Sequence, residues 1–441
     1  MYKPRLHLFG LTALACALLA LPALADSQAR IVRLSDVQGS VQIDKNAGLG
    51  YENAFDNLPV TQGTRLHTRD NARAEIEFED GSTLRLTPNT TVEFSKLGLT
   101  DAGKRISGVN LVQGKAYIDW VGKSGDEFTL SFSQEKVQLS VAPAHFRVAT
   151  SSTGAELANF KNDLEVVGPS GTVKVPKKKM VTFDVSDDDK SMVAKNFRDD
   201  PYDQWDKQSA DYHEQYAKNN STPYGYGASD LGYYGGYSNV PGFGLLWQPF
   251  FAGVGWNPYL DGAWAWYPGM GYTWASAYPW GWLPYYYGNW TYAPGYGWGW
   301  QPGGFNTWHG GIHYVGAAVA GFHPPVAPTG SVSTAAVGKG GPALTSNSSR
   351  GFSPASTVVK SGSVGLGIPR GSYGDLHQLN RQVAKAGFVE LRAAPQFAAS
   401  SPRTGGFSFA GSHAGGSAGG SVAAAPAAHA SSGGGGGGSH H

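Results

Sequence analysis

Residues 255–274 read GWNPYLDGAWAWYPGMGYTW, and residues 281–300 read GWLPYYYGNWTYAPGYGWGW. The two segments align without a gap at an offset of 26 residues and are identical at ten of their twenty positions. Agreement in a single register over this length indicates a duplicated structural unit. The fold of the second half of the chain is therefore expected to be built around residues 255–300.

Each copy has the pattern of a short β-hairpin. Trp264 and Trp266 are two residues apart, as are Tyr272 and Trp274, and alternate residues of a strand face the same side. Between the pairs lies Pro-Gly, at residues 268–269 and again at 294–295, which suits the two central positions of a tight turn. We therefore expect two aromatic hairpins in which ring packing replaces an aliphatic core.

Two hypotheses describe what these rings do. They form a miniature core, or some stay exposed and bind sugar rings, a quaternary ammonium group or aromatic residues of a partner. By position in the repeat, four tryptophans are expected to be structural: Trp264, Trp274, Trp290 and Trp300. Four rings in the segments that enter the hairpins are the candidate ligand-binding residues: Trp256, Tyr259, Trp282 and Tyr285.

Composition limits the classes of partner. The 441 residues include 34 Lys and Arg against 33 Asp and Glu, so a concentrated basic surface for nucleic acid is not expected. The chain contains 62 glycines, and most of them follow residue 220. A length of this order is sufficient for two or three domains.

The first 25 residues have the pattern of a secretory signal peptide. Lys3 and Arg5 precede the apolar residues 6–21, and Ala-Leu-Ala at residues 23–25 is a small-residue cleavage site before Asp26. Export to the periplasm or the exterior is predicted, with no membrane-spanning segment in the mature chain. Cys16 is the only cysteine, and its lipidation is the alternative hypothesis.

Residues 29–185 alternate strands and turns without long helical periodicity. In residues 73–86, Ala74, Ile76 and Phe78 share one face of a strand, and glutamates occupy the other. Asp80-Gly81 predicts a tight reversal, after which Arg85 lies opposite the glutamates. An all-β domain with its own core, either a sandwich or a solenoid, is predicted here.

These residues resemble the FecR domain. The similarity rests on an ordered set of positions: Gly39, Val41, Gly63, Leu66, Thr68, Ala74, Asp80-Gly81-Ser82, Leu84, Leu86, Pro88, Thr90, Leu111 and Gly114-Lys115-Ala116. The resemblance implies an extracytoplasmic all-β domain without enzymatic activity. In membrane-bound members of the family it implies relay of a signal from an outer-membrane transporter to a cytoplasmic anti-sigma segment.

The order of segments differs from that of a membrane-bound regulator. Only residues 1–5 precede the apolar run, so we expect the domain to be retained here without the regulatory role. A signal peptide, this domain and a Trp/Tyr/Gly-rich repeat tail together resemble secreted bacterial FecR-domain proteins of unknown function. The resemblance thus favours an envelope protein over a cytoplasmic one.

The remaining segments are expected to connect or to be unstructured. Residues 200–220 predict a helix with Trp205, Tyr212 and Tyr216 on one face, packed on the β domain or on a partner. Residues 221–254 are expected to be a Gly/Tyr-rich linker. Residues 321–441 are rich in Gly, Ala and Ser and predict mostly disorder, with a short helix at 375–387 as the exception.

No catalytic motif, cofactor fingerprint or metal-ligand spacing is present in the sequence. His309 and His313 are separated by Gly-Gly, which opposes the helix that would aim both at one zinc ion. The function hypothesis is a non-enzymatic binding or scaffolding protein of the bacterial envelope that contacts protein or cell-wall glycan. The alternatives are a periplasmic signalling module paired with a separate sigma/anti-sigma system, and a cell-wall hydrolase with aromatic targeting repeats.

Overall fold

The computed structural model describes residues 30–140, 142–184, 190–194, 198–219, 222–308, 314–315, 321–330, 334–338 and 357–391. The predicted signal peptide at residues 1–25, together with Cys16, His309 and His313, lies outside the described residues. Within the described residues, no helix is long and apolar enough to cross a membrane.

Residues 32–194 contain seventeen strands and, among the described residues of this range, no helix. They are β1 Val32–Gln38, β2 Val41–Asp44, β3 Glu52–Asn53, β4 Pro59–Val60, β5 Arg65–Thr68, β6 Arg73–Glu77, β7 Thr83–Leu86, β8 Thr91–Leu99, β9 Arg105–Trp120, β10 Glu127–Phe132, β11 Glu135–Leu139, β12 Ala144–Thr150, β13 Gly154–Lys161, β14 Leu164–Gly168, β15 Gly171–Val175, β16 Met180–Asp184 and β17 Lys190–Ala194. The prediction of an all-β domain is confirmed.

The strands form two sheets that share β9. The first sheet has the order β4-β1-β6-β7-β9-β12-β13-β16-β17, and the second has the order β3-β2-β5-β8-β9-β10-β11-β14-β15. The first half of β9 pairs with β8 and with parallel β10, and its second half pairs with β7 and β12. Gly114, with φ +97°, lies where β9 passes from one sheet to the other.

The apolar faces of the two sheets pack on each other. Phe78, after β6, meets Phe128 of β10 edge to face at 5.6 Å between ring centroids. Phe132 of β10 meets Phe183 of β16 at 6.3 Å. These rings and the alternating aliphatic residues of both sheets are buried, so the domain is a packed two-sheet structure rather than a solenoid.

The predicted connector helix is α1, Asp203–Tyr216, followed by a short 3₁₀ turn at Ala217–Asn219. It begins three residues after Asp200, and its N-cap Tyr202 makes no side-chain capping bond. Trp205 and Tyr212 are buried, and the guanidinium of Arg73 on β6 lies over the Trp205 ring at 5.1 Å. The helix therefore packs on the β domain through the face that the spacing predicted.

The aromatic module, residues 228–305, consists of three hairpins and two short helices. Its elements are α2 Ala228–Tyr234, β18 Gly235–Val240, β19 Gly244–Pro249, β20 Asp261–Tyr267, β21 Gly271–Ser276, α3 Leu283–Tyr286, β22 Tyr287–Ala293 and β23 Gly297–Phe305. In the two repeat copies, Trp264 pairs with Trp274 and Trp290 pairs with Trp300.

The predicted linker at residues 221–254 is incorrect, because it contains a third copy of the hairpin. The β18–β19 hairpin repeats the Gly…Pro-Gly-x-Gly-x-x-Trp pattern of the other two, ending in Trp247. A Cβ added at Gly235 would overlap the Trp247 indole, and one added at Gly262 would overlap that of Trp274. A glycine at the start of each of these hairpins thus lets the final indole lie against the opposite strand.

Part of the range predicted to be mostly disordered is folded. Within it, β25 Thr334–Gly338 pairs with β20, and β26 Thr357–Lys360, α4 Leu376–Ala386 and β27 Phe388–Leu391 form a C-terminal segment. Just before this range, β24 Tyr314–Val315 pairs with β22. Asp375 caps α4 by accepting the Gln378 N–H at 3.1 Å, and Gly387 ends it. Val359, Val364 and Ile368 are buried. Their burial offsets the entropy that is lost when this segment is ordered, a contribution that the composition of the segment does not reveal.

We predict that Gly262→Ala destabilises the protein, because the new methyl group would displace the Trp274 indole. The expected loss is about 1–3 kcal/mol, the usual cost of overpacking. Gly304→Ala is the matched control, since Gly304 is an exposed strand glycine at which a Cβ meets nothing within 4 Å. Thermal unfolding followed by near-ultraviolet circular dichroism measures both, and equal melting temperatures would contradict the role of the glycine.

Candidate functional site

The most unusual chemistry of the molecule is a network of buried charges on the outer face of β6. Glu75 and Glu77 lie on this face, and both are almost fully buried. Arg85 is the cross-strand neighbour of Glu75, and its Nε donates to the Glu75 carboxylate at 2.8 Å. The predicted pairing of Arg85 with the glutamates is therefore present, but under a cover of helices and not in solvent.

Arg33 of β1 connects the β domain to the aromatic module. Its guanidinium contacts Glu77 at 3.1 Å and Asp230 of α2 at 2.6 Å, and it has no solvent exposure. It also donates to the Pro279 carbonyl at 2.8 Å, in the segment between the two original repeat copies. Asn57 donates to two carbonyls of the same segment, those of Ser276 and Tyr278.

Asp230 is the acid through which α2 enters the network. It accepts a hydrogen bond from the Tyr212 hydroxyl at 2.7 Å and one from Arg370 at 2.7 Å. Arg370 also donates to Glu75 at 2.9 Å. Burial and the Asp230 charge together raise the pKa of Tyr212 well above its usual value, so the phenol stays protonated and donates.

Helix α1 contributes a second acid and a histidine. Asp206 accepts from Arg85 at 2.8 Å and lies 2.7 Å from Nε2 of His145. Burial opposes the charge on Asp206, but the bonds to His145 and Arg85 outweigh it and hold the pKa of Asp206 below its usual value. The pKa of His145 is raised in return, because Asp206 outweighs the effect of burial.

His213 lies between a serine and a carboxylate. Its Nδ1 is 3.0 Å from the Ser229 hydroxyl, and its Nε2 is 2.9 Å from Glu75. The order of hydroxyl, imidazole and carboxylate is that of a serine-type catalytic triad. Ser229 is only 1% exposed, however, and His213 also faces Glu77 at 3.6 Å. A protonated imidazole between two carboxylates explains this geometry, so we assign the three residues a structural role.

The protonation state of His213 follows from its neighbours. Burial alone would lower the pKa of His213, but Glu75 and Glu77 outweigh it and raise the pKa above its usual value. The same histidine, with Arg85 and Arg370, holds the pKa of Glu75 well below its usual value despite burial. Glu75 therefore stays ionised, and His213 keeps its proton to a higher pH than an ordinary histidine.

Two further carboxylates, Asp36 and Asp56, lie half-buried at the edge of the network. Burial and the neighbouring Asp36 raise the pKa of Asp56 to about 7, although its carboxylate accepts the Val37 N–H at 2.7 Å. The pKa of Asp36 is also raised, mainly by burial. A proton on Asp56 thus limits the negative charge at the edge of the junction near and below neutral pH.

The four candidate ligand-binding rings are not exposed. Trp256, Tyr259, Trp282 and Tyr285 all have at most 7% of their surface accessible. The expectation of an exposed ring platform at these residues is corrected, because their rings pack on other rings of the module. Trp256 packs on Trp290, and Tyr259 packs on Trp274. Trp264, Trp274, Trp290 and Trp300 are buried beside them.

Trp280 lies at the centre of this aromatic packing, outside the repeat positions that the sequence emphasised. Its ring stacks on Tyr278 at 4.9 Å with an interplanar angle of 5°. It meets Trp247 edge to face at 5.0 Å and Trp256 at 6.1 Å. Trp280 therefore joins the third hairpin to the two predicted ones.

Several network residues escaped prediction from sequence, although each carries a recognisable signal. Asp230 is the only charged residue in residues 219–260, and a single charge in an aromatic segment has to be paired once it is buried. Arg33 interrupts the apolar run Ile-Val-Arg-Leu of β1. Within the part of the chain that the structure describes, no group of three or more His, Cys, Asp or Glu residues is placed to hold a metal ion.

Two family models match the chain. Residues 64–165 match the model described as FecR protein. Residues 228–328 match a family of unknown function, DUF6600. The chain contains a FecR domain followed by a DUF6600 region. The ionic network thus joins the FecR domain, through β6 and β7, to the first helix of the DUF6600 region.

Two crystal structures of a "putative anti-sigma factor" from Parabacteroides distasonis ATCC 8503 are similar to part of this chain. The first is 14% identical with a TM-score of 0.27, and the match covers 32% of this chain and 63% of that one, less than two thirds of its length. The second is 13% identical with the same TM-score, covering 34% and 71%. A search of curated proteins finds no match.

We predict that Arg33→Met destabilises the protein by about 3–5 kcal/mol, because it leaves buried carboxylates without their cation. Arg65→Met is the control, since Arg65 also pairs a strand arginine with a glutamate, Glu93, but is 55% exposed in its side chain. The urea midpoint of the control should be close to that of the wild-type protein. Urea unfolding followed by tryptophan fluorescence gives the two midpoints, and coincident midpoints would show that the network is energetically unimportant.

We also predict that stability falls as the pH rises from about 5 to 8. The folded pKa of Asp56, about 7, exceeds its ordinary value of 3.8, so its contribution is lost as pH rises toward 7. The pKa of His213 is raised above 6.5, so its contribution is lost above that pH. Glu75, whose pKa is lowered from 4.5, contributes fully over this range.

The groups that face these two residues are all in the network: Asp36, Arg33 and Arg370 for Asp56, and Glu75, Glu77, Arg85 and Ser229 for His213. Melting temperatures measured between pH 5 and 8 test whether stability falls as the pH rises. Asp56→Asn imitates the protonated acid and should flatten the decline between pH 5 and 7. A stability that rises with pH in the wild-type protein would contradict the assignment.

Proposed function

We propose that this protein is a non-enzymatic, extracytoplasmic binding or scaffolding protein of the bacterial envelope. The match to the FecR family and the exported character of the sequence support the location. The observation that carries the proposal is the buried junction, in which Arg33 binds Glu77 of the FecR domain and Asp230 of the DUF6600 region together. Such a junction holds the two regions together as one unit.

The exposed apolar surface of the DUF6600 region favours a protein as the partner. Phe243 and Leu245, at the tip of the β18–β19 hairpin, are 36% and 44% exposed. The only charge in residues 219–260 is the buried Asp230, so this tip is uncharged. Rings that could stack on sugars at the predicted positions are buried, which makes glycan recognition there the weaker hypothesis.

A signalling role is the second candidate, and the FecR match at residues 64–165 favours it. In this case the FecR domain would contact a separate membrane regulator, and the junction would transmit binding at the DUF6600 region. Scaffolding and signalling therefore differ in the identity of the partner and not in the architecture that holds it.

Site-specific photo-cross-linking in envelope preparations tests the proposal. A photoreactive amino acid at Leu245 should capture a defined partner, and excess unlabelled protein should compete with it. The control position is Gln138 of β11, which is exposed and polar. Excess Leu245→Asp protein should compete poorly, because the apolar contact is lost.

The identity of the captured partner separates the hypotheses. A structural envelope protein supports scaffolding, and a transporter or an anti-sigma protein supports signalling. Equal capture at both positions, or none at Leu245, contradicts a specific contact at the hairpin tip. Turnover of cell-wall sugars by the purified protein would overturn the non-enzymatic assignment.

A further inference from the structure

Residues 364–373 lie in a groove whose walls are aromatic side chains that bind their backbone. Trp280 donates its indole N–H to the Val364 carbonyl at 2.8 Å, and the Tyr234 hydroxyl donates to the Ile368 carbonyl at 2.8 Å. The Tyr233 hydroxyl donates to the Tyr373 carbonyl and accepts the Tyr373 N–H, both at 3.0 Å. The segment itself is a series of turns, with the Ile368 N–H bonded to the Gly365 carbonyl and the Ser372 N–H to the Pro369 carbonyl, and the surrounding side chains bind the carbonyls that the turns leave open.

Arg370 is the anchor of this segment. Its guanidinium donates to Glu75 at 2.9 Å, to Asp230 at 2.7 Å and to the Ser35 carbonyl at 2.7 Å. Its charge also lies over the Tyr212 ring at 5.8 Å, and only 13% of its side chain is exposed. The pocket around the guanidinium thus consists of two carboxylates, a carbonyl and an aromatic ring. This arrangement matches the planar, multiply donating guanidinium of arginine.

Side chains beside the anchor add shape selectivity. Val364 and Ile368 are buried against the aromatic module. Gly365 has φ +90°, and a Cβ there would come within 2.8 Å of the Tyr234 ring. Gly371 has φ +63° and lies against Tyr212. The groove therefore fits a glycine-rich peptide with aliphatic residues before its arginine.

The segment is separated in sequence from the rest of the aromatic module. Between β25 and β26 lie the 18 residues 339–356, which can span at most about 60 Å. A peptide that belongs to the same chain as its binding site binds with the effective concentration of an intramolecular partner. The contact of residues 364–373 with the groove is therefore an intramolecular one between segments distant in sequence.

We propose that the groove between α1, α2 and Trp280 is a peptide-binding site for an arginine-bearing, glycine-rich peptide, with residues 364–373 as its resident ligand. The site takes a peptide of the same chemistry in trans when the resident segment leaves. This inference does not depend on a contact at the hairpin tip, because the groove lies at the buried junction.

The test uses the full chain with protease sites placed within residues 339–356 and after residue 391. After cleavage, a fluorescein-labelled synthetic peptide of residues 361–375 is added, and its binding is followed by fluorescence anisotropy. Near-ultraviolet circular dichroism of the tryptophans reports whether the cut protein remains folded. The labelled peptide should displace the cut segment and bind in a saturable manner.

Substitutions are made in the peptide, so that folding of the protein is not affected. The Arg370→Gln peptide should bind at least about thirtyfold more weakly, as expected for loss of one member of a buried charge pair. The Asp375→Asn peptide is the control, because Asp375 is exposed and lies outside the groove. It should bind like the wild-type peptide.

Three results would overturn the inference. Equal affinities of the Arg370→Gln and Asp375→Asn peptides would show that the pocket does not discriminate arginine from glutamine. Loss of the tryptophan signal on departure of the segment would make the segment part of the core. A cut segment that does not exchange with excess peptide would show that the groove is not an accessible binding site.

Discussion

The face of β6 that carries Glu75 and Glu77 is the constraint on which the rest of the structure depends. Two carboxylates on a strand cannot be buried unless cations and donors reach them, because removing an ion from water costs several kcal/mol. Their partners come from five separate places in the chain: Arg33 on β1, Arg85 on β7, His213 on α1, the Gly227 N–H before α2, and Arg370. The strand therefore fixes where each of those segments can lie.

A network of this kind contributes more to arrangement than to stability. Apolar residues of similar volume would often hold two surfaces together equally well. Apolar packing alone, however, tolerates a shift of one surface over the other. In this molecule a shift would leave Asp230 or Glu77 buried without its cation, so we infer that the charges specify a single docking of the aromatic module on the FecR domain.

The aromatic module obtains its core in a different way. Short hairpins cannot bury enough area with aliphatic side chains alone, and here large aromatic rings supply the buried area. Glycine at the start of the strand makes this possible, since the indoles of Trp247 and Trp274 occupy the space that a side chain at Gly235 or Gly262 would need. The rings of the repeat are consequently buried in this core, and the surfaces that we propose for recognition are the tip of the β18–β19 hairpin and the groove that holds Arg370.

Sequence patterns determined the local elements because their causes are local. Alternation of apolar and acidic residues specified β6, the Pro-Gly turns specified two hairpins, and the spacing of Trp205 and Tyr212 specified α1. The all-β class and the resemblance to the FecR domain came from the same kind of pattern. The third hairpin was missed because its only repeat-position tryptophan is Trp247, although its turn and glycine positions match.

Only the tertiary structure decided which faces are buried. A strand face of glutamates has the same sequence whether water or Arg33, Arg85 and Arg370 satisfies its charges. Likewise, Trp256 and Trp282 have the same local pattern whether they form a platform or a core. Burial depends on which distant segment arrives above a residue. Here the Arg370 guanidinium donates to Asp230, which lies 140 residues earlier in the chain. The sequence around either residue does not indicate the other as its partner.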